Sequence, residues 1–216
     1  MSSQGRQRHG RVIGLTGNIA CGKSSVARRL AEHGASVIDA DVVAHELMQP
    51  QLPAWRDVVA AFGNGILATD GVIDRAKLRE IVFSDRLALQ RLNAAVHPHV
   101  HSELLRRMRL LPAGEIAVIE AVALIEAGTH RDTDALWLVL CPPELQIERL
   151  VQSRRLSRAD AAWRVAAQPP AEPKAALADM IIQNDGDLAR LITAADSAWQ
   201  AQLARWGLTG QEVVRQ

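Results

Sequence analysis

The 216-residue chain has only two cysteines, Cys21 and Cys141, too few for a disulfide framework. A chain of this length buries about 70% of its unfolded surface, so it folds without a disulfide or structural metal. The two thiols are expected to stay reduced, as in the cytosol. No apolar run approaches the roughly 20 residues that span a bilayer. Residues 1–10 are polar, contain no hydrophobic signal segment, and are expected as a disordered tail. Tyrosine is absent and phenylalanine occurs twice; the five tryptophans are expected as core or lid anchors rather than base-stacking platforms. The net charge of +1 argues neither for nor against a nucleic-acid partner. There is no internal repeat, low-complexity run or flexible linker, so the length allows one domain, or one domain with an insertion. The guanine-reading pattern N-K-x-D is missing, which weighs against a GTPase switch.

What is present is Gly17-Asn-Ile-Ala-Cys-Gly-Lys-Ser24, which fits the phosphate-loop pattern G-x-x-x-x-G-K-[ST]. Arg11–Thr16 before it is an apolar run of strand length. After it, Val26, Leu30 and His33 fall at helical spacing, with Gly34 as a stop. A loop between strand and helix turns successive N–H groups inward, at the positive end of the helix, and so binds phosphate. Gly17, Asn18, Ile19, Ala20, Cys21, Gly22, Lys23, Ser24 and Ser25 are thus the candidate ATP-binding residues. Lys23 reaches the β- and γ-phosphates and the Ser24 hydroxyl ligates Mg²⁺.

Further along, residues 35–39, 115–120, 135–141 and 179–183 read as strands separated by helices. That alternation predicts an α/β fold: a doubly wound, five-stranded parallel sheet with ligands at the carboxyl ends of its strands. Between residues 54 and 110 only amphipathic helices are expected, over 54–62, 74–83, 85–95 and 98–110, as in an inserted substrate-binding region. Asp39 and Asp41 close the second strand, with side chains expected on one face because strands alternate. One acid would support Mg²⁺ or its waters and the other take the proton of an attacking hydroxyl. A plain helix cap is the alternative for Asp41. His97 and His101 share a helix face, but Glu103 is their only acidic neighbour at ligand spacing, which disfavours zinc.

With Ile13–Gly17, Val37–Asp41, Glu46–Pro50, Ile73–Arg79, His97-Pro98, Gln146–Leu150, Arg164 with Gln168, and Asn184 with Gly186 in order, the chain resembles the dephospho-CoA kinase family over residues 11–205. The resemblance implies ATP- and Mg²⁺-dependent phosphorylation of the ribose 3′-hydroxyl of dephospho-coenzyme A, the last step of coenzyme A synthesis. It implies a P-loop kinase domain over 11–207, with a core of 11–48 and 112–207, a helical acceptor-binding insertion at about 50–111 and a lid at about 150–172. It also implies catalytic roles for Lys23, Asp41 and Arg149, with Asp41 orienting or deprotonating the 3′-hydroxyl and Asp39 the candidate for supporting the metal, and acceptor contacts from Asp41, Arg75, Arg79 and His97. The guanidinium of Arg149 would offset charge on the transferring phosphoryl group. A cytoplasmic monomer or weak homo-oligomer, with no nucleic-acid or membrane partner, is expected.

The chain departs from the family in places. Asn18 and Ala20 stand where glycine is usual, and phosphate binding is expected to survive if Ala20 sits at an ordinary φ. The segment Glu120–Glu126 lacks the usual proline and has Glu for Asp. The second lid arginine falls at Ser153, with Arg154 and Arg155 just beyond. Cys21, beside Lys23 and a helix N-terminus, is expected as a reactive thiolate or, alternatively, as an inert loop filler. Two other functions stay open: a P-loop kinase for another small acceptor, and a catalytically silent nucleotide-binding regulator.

Overall fold

The computed structural model describes residues 10–209, apart from the side chains of Phe83, Ser84 and Glu172. Nine residues of the expected tail, 1–9, lie outside the described residues. The chain divides into two compact units: one ends at Ile38 and resumes at Met108, and the other is Asp39–Arg107.

The first unit is built on the apolar runs. β1 (Arg11–Thr16), β2 (Ser36–Asp39), β3 (Ile116–Glu120), β4 (Ala135–Leu140) and β5 (Met180–Gln183) form one sheet in the order β2-β3-β1-β4-β5. β1 runs parallel to both β3 and β4, and β4 parallel to β5. With chain neighbours distributed to both sides of β1, its carboxyl end is a switch point where α/β sheets bind ligands. The register places Leu15 between Glu120 and Trp137, so Glu120 stands at the same end of the sheet as the loop after β1. Carboxylates fasten the opposite end: Asp134 accepts from the Val12 N–H and Asp179 from the Leu136 N–H, both at 2.7 Å.

Helices α1 (Lys23–Glu32) and α9 (Leu188–Trp206) pack their apolar stripes on this sheet. Val26, Leu30, Trp137, Trp199 and Leu203 are buried there, each contributing roughly 1.5–3 kcal/mol or more. Asp196 of α9 receives Arg29 through two nitrogens and contacts His33 Nε2, and the Arg29 guanidinium above all holds its carboxyl down to about 2. Trp137 and Trp199 are core residues, whereas Trp163 is half-exposed on α7 (Arg158–Ala166). α6 (Pro143–Arg154) precedes α7, and the short α8 (Glu172–Ala175), absent from the sequence expectation, follows it.

In the second unit, α2 (Ala40–Leu47), α3 (Pro53–Phe62), α4 (Arg75–Ser84) and α5 (Arg86–Arg109) enclose a small core of Val58, Ile66, Ile73, Leu78 and Val96. The two helices expected over 85–95 and 98–110 are one, running through Pro98. A proline inside a helix costs roughly 3 kcal/mol. Val96 and Leu104 on either side of it are buried, which offsets that cost. Arg106 and Arg107 clasp Glu103 and hold its carboxyl down to about 2, so Glu103 serves as an ion-pair partner of its own helix. Among the described residues, no helix is long and apolar enough to cross a membrane.

Candidate active site

After β1 the chain turns through residues 17–22 into α1. Gly17 has φ 148°, and a Cβ there would meet the Val139 carbonyl oxygen at 2.4 Å, so no larger residue fits. The Cys21 N–H donates to the Asn18 carbonyl at 3.3 Å, closing a turn. The third residue of that turn, Ala20, has φ 56°, where a type II turn takes glycine. Ala20 therefore does not sit at an ordinary φ, and positive φ does not fall on Asn18. Alanine in this region costs roughly 1–2 kcal/mol. Ala20→Gly is expected to raise the melting temperature by about 1–4 °C, since strain relief outweighs the added freedom of the unfolded chain. A fall of that size by calorimetry would contradict the strained turn.

α1 starts at Lys23 with no side chain capping it and no acid in its first turn, so its positive end meets the loop without a competing carboxylate of its own. Lys23 is buried, and its Nζ donates to the Asn18 carbonyl at 3.2 Å. The Ser24 hydroxyl donates to Glu120 Oε1 at 2.7 Å. A hydroxyl and a carboxylate beside a phosphate loop are the hard oxygen donors that Mg²⁺ prefers.

Arg149 of α6 is not an exposed helix arginine. Its Nη2 donates to Asn184 Oδ1 at 3.0 Å, and its Nη1 reaches Cys141 Sγ at 3.2 Å and the Ala20 carbonyl at 3.4 Å. Asn184 is buried and donates in turn to the Cys21 carbonyl at 2.7 Å. Gly22, Ser25, Arg149, Asn184, Asp187 and Leu188 line a cavity of about 320 Å³ beside the loop. The structure thus brings residues 17–25 and Arg149 together. Ser153 bonds back to the Arg149 carbonyl at 2.6 Å, and Arg154 and Arg155 end α6 as exposed residues.

Asp39 and Asp41 open the second unit. The strand stops at Asp39 and the helix begins at Ala40, so the strand-alternation argument fails for this pair. Asp39 is the helix cap, its Oδ1 accepting from the N–H groups of Asp41 at 2.8 Å and Val42 at 3.3 Å. Asp41 lies exposed in the first turn and is not the cap. Elsewhere in this unit, Arg75 and Arg79, one turn apart on α4, line an apolar cavity of about 210 Å³ with His45, Met48, Ile73 and Leu92. His97 lies on α5, and neighbouring His99 pairs with Asp57 at 2.6 Å.

The family model for dephospho-CoA kinase matches residues 11–190. The chain belongs to the dephospho-CoA kinase family. It is 44% identical to the dephospho-CoA kinase of Geobacter sulfurreducens over 190 residues, covering 87% of this chain and 96% of that one. It is 42% identical to that of Thermobifida fusca, covering 87% and 94%. The solved dephospho-CoA kinase of Campylobacter jejuni superposes with a TM-score of 0.65 at 27% identity, covering 89% and 97%. The chain is accordingly a kinase of the last step of coenzyme A synthesis, and the reading as a silent regulator falls away.

Within this family site, Cys21 follows the second of its two readings, the inert loop filler. Cys21 is 1% exposed in the core with Val26 and Trp137, and burial pushes its thiol up despite the charge of Lys23. Burial also raises the Cys141 thiol, but Cys141 is only partly buried. Reactivity follows exposure and thiolate character. Alkylation followed by mass spectrometry is therefore expected to label Cys141 well before Cys21; the reverse order would contradict this packing. Sequence reasoning assigned no role to Glu120 as a partner of Ser24, nor to Asn184 as a partner of Arg149. Their signal is tertiary, since each meets its partner only through sheet order.

Proposed function

We propose that the first unit binds ATP with Mg²⁺, and that this chain transfers the γ-phosphoryl group to the ribose 3′-hydroxyl of dephospho-coenzyme A. The observation that carries this reading is the Ser24–Glu120 contact beside the buried Lys23. Ser24 and Glu120 would hold Mg²⁺, which when bound neutralises phosphate charge. Asp39 fits the metal less well, because its Oδ1 is engaged by the N-terminus of α2. Lys23 and the loop of residues 17–25 at the positive end of α1 hold the phosphates, and Arg149 offsets charge near the Ala20 carbonyl. Asp41, exposed in the first turn of α2 with Asp39 and not itself as the cap, accepts the proton of the 3′-hydroxyl.

On the acceptor side, Arg75 and Arg79 suit the diphosphate of dephospho-coenzyme A, and the apolar remainder of their cavity suits its pantetheine arm. His97 is the further acceptor candidate. The enzyme acts in the cytoplasm as a monomer or weak homo-oligomer. An ADP-release assay tests the reading: turnover is expected with dephospho-coenzyme A and not with nucleoside monophosphates or shikimate. Comparable rates with all acceptors would contradict it.

A further inference from the structure

Residues 168–174 reach back onto the phosphate loop. Gln168 Oε1 accepts from the Ile19 N–H at 2.7 Å, and the Asn18 side-chain amide donates to the Pro169 carbonyl at 3.3 Å. Lys174, on α8, is 4% exposed. Its Nζ donates to Asn18 Oδ1 at 3.4 Å and pairs with Glu126 at 3.0 Å. A buried ammonium persists only when paired and hydrogen-bonded, and one of the groups satisfying it here is a side chain of the phosphate loop.

The other end of Asn18 faces the chemistry. Its carbonyl accepts from Lys23 Nζ and from the Cys21 N–H. The side chain of Asn18 is thus gripped by Pro169 and Lys174, while its main chain sets where the Lys23 ammonium stands. The turn so held contains the strained Ala20, which leaves the unbraced loop a reason to relax.

We propose that Gln168 and Lys174 are positioning residues for phosphoryl transfer: they brace the Asn18–Ile19 end of the loop and thereby place Lys23. The inference rests on the reading of Lys23 as the phosphate ligand. Neither residue touches the nucleotide; both act through Asn18 or Ile19. The contact of Lys174 with the Asn18 side chain belongs to this chain's own loop, because glycine at position 18 would have nothing to grip.

The test is a double-mutant cycle of Lys174→Met with Asn18→Gly, read as kcat with saturating dephospho-coenzyme A and as melting temperature. Misplacement of a catalytic group by about 1 Å costs up to 10²-fold, so Lys174→Met is expected to lower kcat by about 10- to 100-fold when Asn18 is present. In the Asn18→Gly background the same change is expected to cost less than about threefold, because the coupled pair is already broken. Lys174 that only anchored Glu126 would lower the melting temperature and cost the same kcat in both backgrounds, which overturns the proposal. If Lys174→Met does not fold, Gln168→Ala removes the grip on Ile19; wild-type kcat in that variant overturns the brace.

Calorimetric titration with ATP runs the cycle without any acceptor. Affinity is expected to fall with Lys174→Met when Asn18 is present and to stay level when it is not. Equal falls overturn the brace. Wild-type protein that binds ATP but transfers nothing to dephospho-coenzyme A overturns the proposed activity, and the binding cycle then decides the brace alone.

Discussion

Lys23→Met is expected to weaken ATP binding and to lower turnover, whereas Asp41→Asn leaves ATP affinity near wild type and lowers turnover by about 10²–10⁴. On the proposed reading the two residues act at different stages. Lys23 is buried at the loop with its ammonium held by the Asn18 carbonyl, so it meets phosphate charge in the ground state and the transition state alike. Asp41 lies in the first turn of α2, outside the phosphate loop, and as the proposed base its carboxylate is needed when the acceptor hydroxyl loses its proton. Asparagine keeps the size and removes the base. Since Asp39 and not Asp41 caps the helix, Asp41→Asn is expected to cost little stability. Near-normal turnover in folded Asp41→Asn would remove the base assignment. Unchanged ATP affinity in Lys23→Met would remove the phosphate assignment.

Glu120→Gln is expected to raise the Mg²⁺ concentration needed for half-maximal turnover and to lower activity by about 10- to 100-fold. Glutamine still accepts from Ser24 but carries no charge for the cation or its waters. Asp39→Asn is the matched control, because asparagine caps a helix nearly as well as aspartate. Its Mg²⁺ requirement is expected to match the wild type. If Asp39→Asn shifted the Mg²⁺ requirement and Glu120→Gln did not, the metal assignment would pass from Glu120 to Asp39.

The phosphate loop was legible in the sequence because its signal is local. A strand, glycines at 17 and 22, Lys23, Ser24 and a helix follow one another without a gap, and the structure forms each where expected. The five strands were legible for the same reason: each is a short apolar run between breakers. What failed were predictions that depend on packing. Pro98 marked a helix end by local preference, yet the buried Val96 and Leu104 carry one helix through it. The charge beside Cys21 left a thiolate and an inert filler both open; its side chain turns into the core, where desolvation favours the filler. Ala20 takes a φ that its residue type disfavours, because the turn to Cys21 requires it.

The residues that complete the site are distant in the chain. Glu120 reaches Ser24 across 96 positions and Gln168 reaches Ile19 across 149. Neither separation leaves a periodicity to detect. Gln168 and Asn184 were visible only as positions shared with a family, without a partner or a role. For Asn184 the sheet order β2-β3-β1-β4-β5 supplies both, since it sets β4 beside β1 and β5 beyond β4, whereas Gln168 meets Ile19 from the segment after α7.

The central claim is transfer from ATP to one hydroxyl of one acceptor, and the position of the new phosphate tests it most directly. Purified enzyme with ATP, Mg²⁺ and dephospho-coenzyme A is followed by phosphorus and proton NMR. The expected product shows one new phosphomonoester signal coupled to the ribose H3′, formed in equal amount to ADP. A phosphate on the 2′-oxygen, or ADP released without any new phosphomonoester, would contradict it.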